Sequence, residues 1–447
     1  MPRKYYITNI LGLQIFQVLR FVSFLIINAV FTRSELSKKD IGDFELLLFL
    51  ASAVTFFWIT GIIQSLLPLF NNNQSFVSRN REQKSPELYN AFLLILFISF
   101  FITAVGFLLK NEVAFYKDGH PLPYATPLLL YIFLSSPSCL VEYIYLLYNK
   151  AKLILAYGFI TFTLQVIFVI LPVKMGYGIE GGIWGLVIIS GVRFIWLLLL
   201  LQKYSIPRVS TAFLKELIIL SLPLMLSTLL SGSSQYIDGL IVSAKFSPEK
   251  FAIFRYGAKE VPLVVTLASG LNNAMLTQFA SIDKIKFGLL TLKKRSLRLM
   301  HILFPISILL LFFSDILFHL LFTRNFVQSS DVFMVYVLLI TSRLIFPQTI
   351  LIGLKKNRVV MFSSILNMIL NIALTLLMIP RYGIVGVAVA TVIVYVIEKL
   401  VLVAYNYFKL GIKPNEYIPI GWYVFYSLLI TLIFVLIDHR ILVVRLY

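Results

Sequence analysis

The residues able to do chemistry in this chain are charges placed where charges are costly. Between Phe251 and Ser281 runs FAIFRYGAKEVPLVVTLASGLNNAMLTQFAS, long enough to cross a bilayer yet interrupted by Arg255, Lys259 and Glu260. A charge at the centre of a membrane helix costs roughly 2.5–3.5 kcal/mol on insertion scales, so such residues line cavities or pair with one another. Arg255 and Lys259 stand four apart, a spacing that puts both cations on one helical face. Such a face suits an anionic ligand, because the guanidinium fork matches phosphate and carboxylate oxygens.

Other apolar stretches carry similar residues. Arg20 lies mid-way along 7–31, with Gln14 and Gln17 at helical steps before it and no carboxylate in the same stretch. Asp238 stands at a depth close to that of Arg255 and is placed to pair with it. Asn272 and Asn273 follow Gly270, read as a break. Glu142, Arg193, Arg343, Glu398 and Lys399 occupy the inner halves of further stretches. Lys399 is expected to snorkel to the headgroups. Arg20, Arg255, Lys259 and Arg343 are therefore the candidate cationic substrate-binding residues. Gln14, Gln17, Asp238, Glu260, Asn273, Arg193 and Glu398 are candidates for supporting polar or ion-coupling roles. No catalytic or metal-binding constellation is expected: His120, His301, His319 and His439 are isolated in the sequence, and no GxxxxGK[ST] motif occurs. The short segments between apolar stretches leave little room for an enzyme's site.

Composition explains the setting. Of 447 residues, 59% are hydrophobic and 13% charged, with a mean hydropathy of +0.91. Soluble domains average about 25% charged residues, so this is a polytopic membrane protein. The single cysteine, Cys139, permits no internal disulfide. The N-terminus starts with basic residues like a signal peptide. Gln14, Gln17 and Arg20 interrupt the apolar run after it, and a retained first span is expected.

Spans of roughly 20 residues are predicted at 7–31, 42–70, 88–109, 124–148, 153–173, 179–201, 216–243, 251–281, 299–322, 331–354, 359–379, 384–408 and 417–437. With the N-terminus in the cytoplasm, inner segments carry 21 Lys and Arg against 12 in outer segments, which the positive-inside rule requires. The net charge of +19 is thereby assigned to topology and not to nucleic acid.

An internal repeat organises these spans. LSKKDIGDF (36–44) aligns with FSPEKFAIF (246–254) at an offset of 210, and GIIQSLLPLF (61–70) with GLNNAMLTQF (270–279) at a nearly equal one of 209. YGIEGGIWG (177–185) aligns with YGIVGVAVA (382–390) at an offset of 205, which sets Arg193 opposite Glu398. The expected fold is all-α: two six-helix lobes related by a pseudo-two-fold along the membrane normal, plus one extra C-terminal helix. The corresponding divisions are 1–201, a cytoplasmic connector at 202–215, a second lobe at 216–410, and 411–447.

These repeats, with the openings LSKKDIGDF and FSPEKFAIFRYGAKEVP and the start YGIVGVAVAT, resemble the polysaccharide (O-antigen) flippases of the multidrug/oligosaccharidyl-lipid/polysaccharide (MOP) exporter superfamily. The resemblance covers roughly residues 5–410. It implies a non-enzymatic flippase in the bacterial cytoplasmic membrane that moves an undecaprenyl-pyrophosphate-linked oligosaccharide by alternating access. It implies no cofactor, with a proton gradient, a sodium gradient or the membrane potential as the energy source. Implied partners are the lipid-linked glycan, membrane lipids, and the polymerase and glycosyltransferases of the same pathway. Drug exporters of the superfamily tend to use a carboxylate in the first helix, which is missing here. Lipid II flippases use arginines from helices 1, 2 and 8 and a fourteen-helix plan. Here Arg20 and Arg255 match, while 42–70 has no cation and the spans number thirteen. The alternative reading is an ion-coupled exporter of small amphipathic compounds, with Asp238, Glu260 or Glu398 carrying the coupling.

Overall fold

Backbone amides in hydrocarbon have no water to bind, which leaves helices as the way across for a chain of this composition. The computed structural model describes residues 9–72, 84–110, 114–115, 120–276, 279, 285–323, 326–354 and 356–439, and nearly all of them are helical. The last tail residues, 440–447, lie outside the described residues. The chain forms two compact units: Met1–Leu229 with Phe246–Glu249, and Leu230–Lys245 with Lys250–Tyr447.

The first unit holds α1 (Asn9–Phe31), α2 (Lys38–Asn72), α3 (Pro86–Leu109), α4 (Ala125–Ser138), α5 (Leu140–Leu147), α6 (Ala151–Pro172), α7 (Gly178–Tyr204) and most of α8 (Thr211–Gly232). A short hairpin pairs β1 (Ala114–Phe115) with β2 (His120–Pro121). The start of α3 shows how sequence sets an element. Ser85 caps it by accepting from the Glu87 N–H at 3.2 Å, and Pro86 fills the first turn, where no N–H is needed. Its outer face is apolar: Phe97, Phe100, Phe101 and Leu108 are exposed, whereas Asn90 and Ser99 are fully buried. That inversion is the signature of a lipid-facing helix.

Trp58, Ile62, Leu88, Ile144, Tyr157 and Leu201 belong to the core of this unit. The connector is docked to it. Asn90 Nδ2 donates to the Arg208 carbonyl at 2.9 Å, and Asn90 Oδ1 accepts from the Ser210 N–H at 2.9 Å. Ser85 exchanges backbone hydrogen bonds with Tyr204 and Ile206.

The second unit holds α9 (Ser234–Lys245), α10 (Pro248–Gly257, from Lys250 on), α11 (Pro262–Leu276), α12 (Ile285–Leu321), α13 (Gln328–Val337), α14 (Ile340–Arg343), α15 (Pro347–Gly353), α16 (Asn357–Leu410), α17 (Pro414–Tyr417) and α18 (Ile420–Asp438). Among the described residues, nine helices are long and apolar enough to cross a membrane, or ten if the bent pair Gln328–Arg343 and Pro347–Gly353 counts as one span.

Two of those nine, Ala151–Tyr204 and Asn357–Leu410, have 54 residues each, more than twice a bilayer's need. Both fold back at a glycine with positive φ: Gly178 (60°) and Gly383 (57°), separated by the 205-residue offset of the repeat. In the first hairpin a Cβ on Gly185 would stand 2.0 Å from the Phe168 carbonyl oxygen, so the two arms touch backbone to backbone.

The stretch 251–281 is not one helix. The α10 helix ends at Gly257, residues 258–261 are non-helical, and Pro262 opens α11. Pro262 has no N–H to continue α10, and residues before proline avoid the α region. The break falls here and not at Gly270, so Arg255 and Lys259 do not share a helical face. Pro347 follows a second break at 344–346, where the helix axis bends by 48°.

Alanine at Gly178 or Gly383 forces a Cβ into a conformation that side chains rarely adopt. Each change is expected to lower stability by about 1–3 kcal/mol, read as a lowered thermal transition of the purified protein in detergent. Gly191→Ala, where a Cβ meets open space, should leave the transition unchanged.

Candidate functional site

The polar residues of the membrane segments form separate groups within each unit. In the first unit, Gln14, Gln17 and Arg20 lie on one exposed stripe of α1. Deeper in the same unit, Arg193 of α7 donates to Gln165 Oε1 at 2.8 Å and to the Thr161 carbonyl at 3.3 Å, with its guanidinium 5.0 Å from the Phe162 ring centre. Glu142 of α5 is buried within electrostatic reach of Arg20 and Arg193. Near the start of α2, Glu45 is buried and accepts from Asn28 Nδ2 at 2.8 Å.

In the second unit, Asp238 of α9 is buried among donors. It accepts from the Tyr336 hydroxyl at 2.8 Å and from Thr391 Oγ1 at 2.6 Å, and Asn371 Nδ2 donates onto that same Thr391 oxygen at 3.0 Å. Asn371 Oδ1 and Thr375 Oγ1, both fully buried, meet no hydrogen-bond donor among the described residues. A carboxylate bordered by two hydroxyls offers oxygen ligands of the kind a hard cation prefers.

Arg343 at the end of α14 and Glu260 in the 258–261 link form a two-pronged ion pair: Nε donates to Oε2 at 2.8 Å, and Nη2 contacts Oε1. The guanidinium lies 4.9 Å from the Tyr395 ring centre. Two residues assigned different roles from sequence are thus brought together. Lys259, in the same 258–261 link as Glu260, has its ammonium 5.5 Å from the Tyr256 ring. Arg255 lies in the last turn of α10, half-buried. The Asn272 amide oxygen accepts from Thr349 Oγ1 at 2.5 Å. The side chain of Asn273 lies outside the described residues.

Lys399 does not snorkel. It is buried, and its ammonium donates to Gln348 Oε1 of α15, because the face of α16 that carries it packs against α15. Glu398 accepts from Asn367 Nδ2 at 3.0 Å and Ser363 Oγ at 3.5 Å. Arg193 and Glu398 therefore find hydrogen-bond partners inside their own hairpins. Tyr336, Asn371, Thr391 and Tyr395 were missed from sequence. The available signal was periodicity: Asn367, Asn371 and Thr375 recur every fourth residue on α16, as do Thr391, Tyr395 and Lys399. Among the described residues, no group of three or more His, Cys, Asp or Glu is placed to hold a metal ion.

Comparison with known proteins places this arrangement. A family model described as polysaccharide biosynthesis protein matches residues 36–331. The lipid II flippase MurJ, in an inward closed conformation, superposes with a TM-score of 0.65 at 16% identity, covering 96% of this chain and 99% of that one. A MOP superfamily transporter from Pyrococcus furiosus gives 0.55 at 13% identity, covering 90% and 94% of the two chains. A mutant of the Vibrio cholerae MATE transporter VcmN gives 0.52 at 15% identity, covering 92% and 95%. No curated protein matched. The fold is that of the MOP superfamily transporters, and the chain is a multi-pass membrane protein.

Replacing Tyr336 by Phe keeps the ring and removes one donor from Asp238. A hydrogen bond to a charged group contributes about 1.5–3 kcal/mol, and a fall in thermal stability of that size is expected for Tyr336→Phe in detergent.

Proposed function

Because the chain belongs to the polysaccharide biosynthesis protein family, we propose that it moves a pyrophosphate-linked lipid oligosaccharide across the bacterial cytoplasmic membrane. The observation that carries this reading is the set of cations kept within membrane segments of a transporter fold: Arg20, Arg255, Lys259 and Arg343. A pyrophosphate crossing hydrocarbon needs positive charge along its route, and arginine meets phosphate oxygens with two parallel hydrogen bonds. Arg20, exposed on α1, is the cation best presented to a ligand. A lipid II flippase shares the fold, which supports a lipid-linked glycan as the cargo class.

In this reading the N-terminus is cytoplasmic, the two six-helix halves alternate access, and no bond is made or broken in the cargo. The cargo arrives from glycosyltransferases and leaves to a polymerase. Asp238 is the ion-coupling group: with its hydroxyl neighbours Tyr336 and Thr391, and Asn371 behind Thr391, it gives a proton or a sodium ion a seat. The likeness to MATE transporters supports a second reading, an ion-coupled exporter of small amphipathic compounds.

A strain lacking the gene separates the two readings. It is expected to lose surface glycan and accumulate lipid-linked repeat units in the inner leaflet. Unchanged glycan with new drug sensitivity would favour the exporter. In complementation at normal expression, Arg20→Ala and Arg255→Ala should each reduce surface glycan by about tenfold or more, as expected for the loss of one charged hydrogen bond. Wild-type glycan in both mutants would remove the cationic route.

A further inference from the structure

Arg343 already holds an anion. Its Nε and Nη2 edge faces both oxygens of Glu260, and that edge is the one with which a guanidinium grips two phosphate oxygens. The pair is not sealed, since the two side chains keep 22% and 19% exposure. A ligand can therefore reach it.

The two partners differ in how firmly they are held. Arg343 closes α14, its N–H donating to the Leu339 carbonyl at 3.0 Å, and its guanidinium rests against Tyr395. That stacking keeps the fork oriented when a carboxylate leaves. Glu260 sits in the non-helical 258–261 link, between the end of α10 and Pro262. No helix fixes its backbone, so Glu260 is the partner that moves. Moreover, the ion pair joins this link to the 344–346 break. Exchanging the carboxylate for another anion therefore unties two helix breaks at once.

We propose that Glu260 is an internal anion that occupies Arg343 until a phosphate group displaces it, which makes the 258–261 link the ligand-sensing element of the second unit. This rests on the reading of the cargo as a pyrophosphate-linked glycan. The displacement gives cargo a differential affinity for two states of the unit, which is what a ligand needs to shift a conformational equilibrium.

The test uses the purified full chain in lipid nanodiscs, titrated with inorganic pyrophosphate by calorimetry. Glu260→Gln removes the competitor and should bind pyrophosphate about tenfold tighter than the unchanged chain, within the usual range for coupled sites. The double variant Arg343→Met with Glu260→Met leaves neither charge alone. It should keep its thermal transition and bind about tenfold more weakly. Equal or weaker binding by a folded Glu260→Gln protein would overturn the inference and leave the functional reading standing. If Glu260→Gln does not fold, the double variant decides, and unchanged affinity there would overturn the inference. No pyrophosphate binding by any of the three proteins would overturn both.

Discussion

A polar group inside a membrane must find its partner within the protein, and the structure is arranged around that constraint. Unbroken helices satisfy it along their length. Where proline or glycine interrupts a helix, amides and carbonyls are released and must be met again. At the 258–261 link the Ala258 N–H turns to the Phe254 carbonyl and the Lys259 N–H to that of Gly257, each at 2.7 Å. Glu260 in this link meets Arg343, which ends the helix before the 344–346 break. A break is also where a side chain is least committed by its helix, so the constraint that makes breaks rare makes them suited to respond to a ligand.

The repeat shows the same constraint solved twice with different charges. The hairpins 151–204 and 357–410 share their length and, to within about one residue, the position of this positive-φ glycine. At corresponding places one carries Arg193 and the other Glu398. Arg193 reaches across to Gln165, while Glu398 receives Asn367 from the opposite arm. In each case an amide side chain turns its suitable end to the charge. The two hairpins thus combine similar backbone geometry with opposite charges, because an amide can face either sign.

How much of this was legible in the sequence follows from the range of each interaction. The apolar stretches are local patterns, and most of them appear as helices near where the sequence puts them. The 205-residue offset read from the YGI motifs falls on two glycines of positive φ whose fold-back role was not read from the sequence. The break at 258–261 was hidden because Pro262 lies inside a long apolar run that reads as continuous. The Arg343–Glu260 pair spans 83 residues, and nothing local to either residue names the other. Lys399 was misread for a related reason. Snorkelling is the default for a lysine near a helix end, and only the packing of α15 on α16 supplies Gln348.

Asn90 has a consequence for how the chain is made. Its two hydrogen bonds tie α3 to Arg208 and Ser210, 118 and 120 residues later. The first unit needs nothing beyond residue 229 except 246–249, where Gly42 lies so close to Pro248 that a Cβ would stand 2.1 Å from its carbonyl oxygen. Domains fold from the N-terminus as they leave the ribosome. Nearly all of the first unit can therefore close on itself during synthesis, before the second unit has left the ribosome.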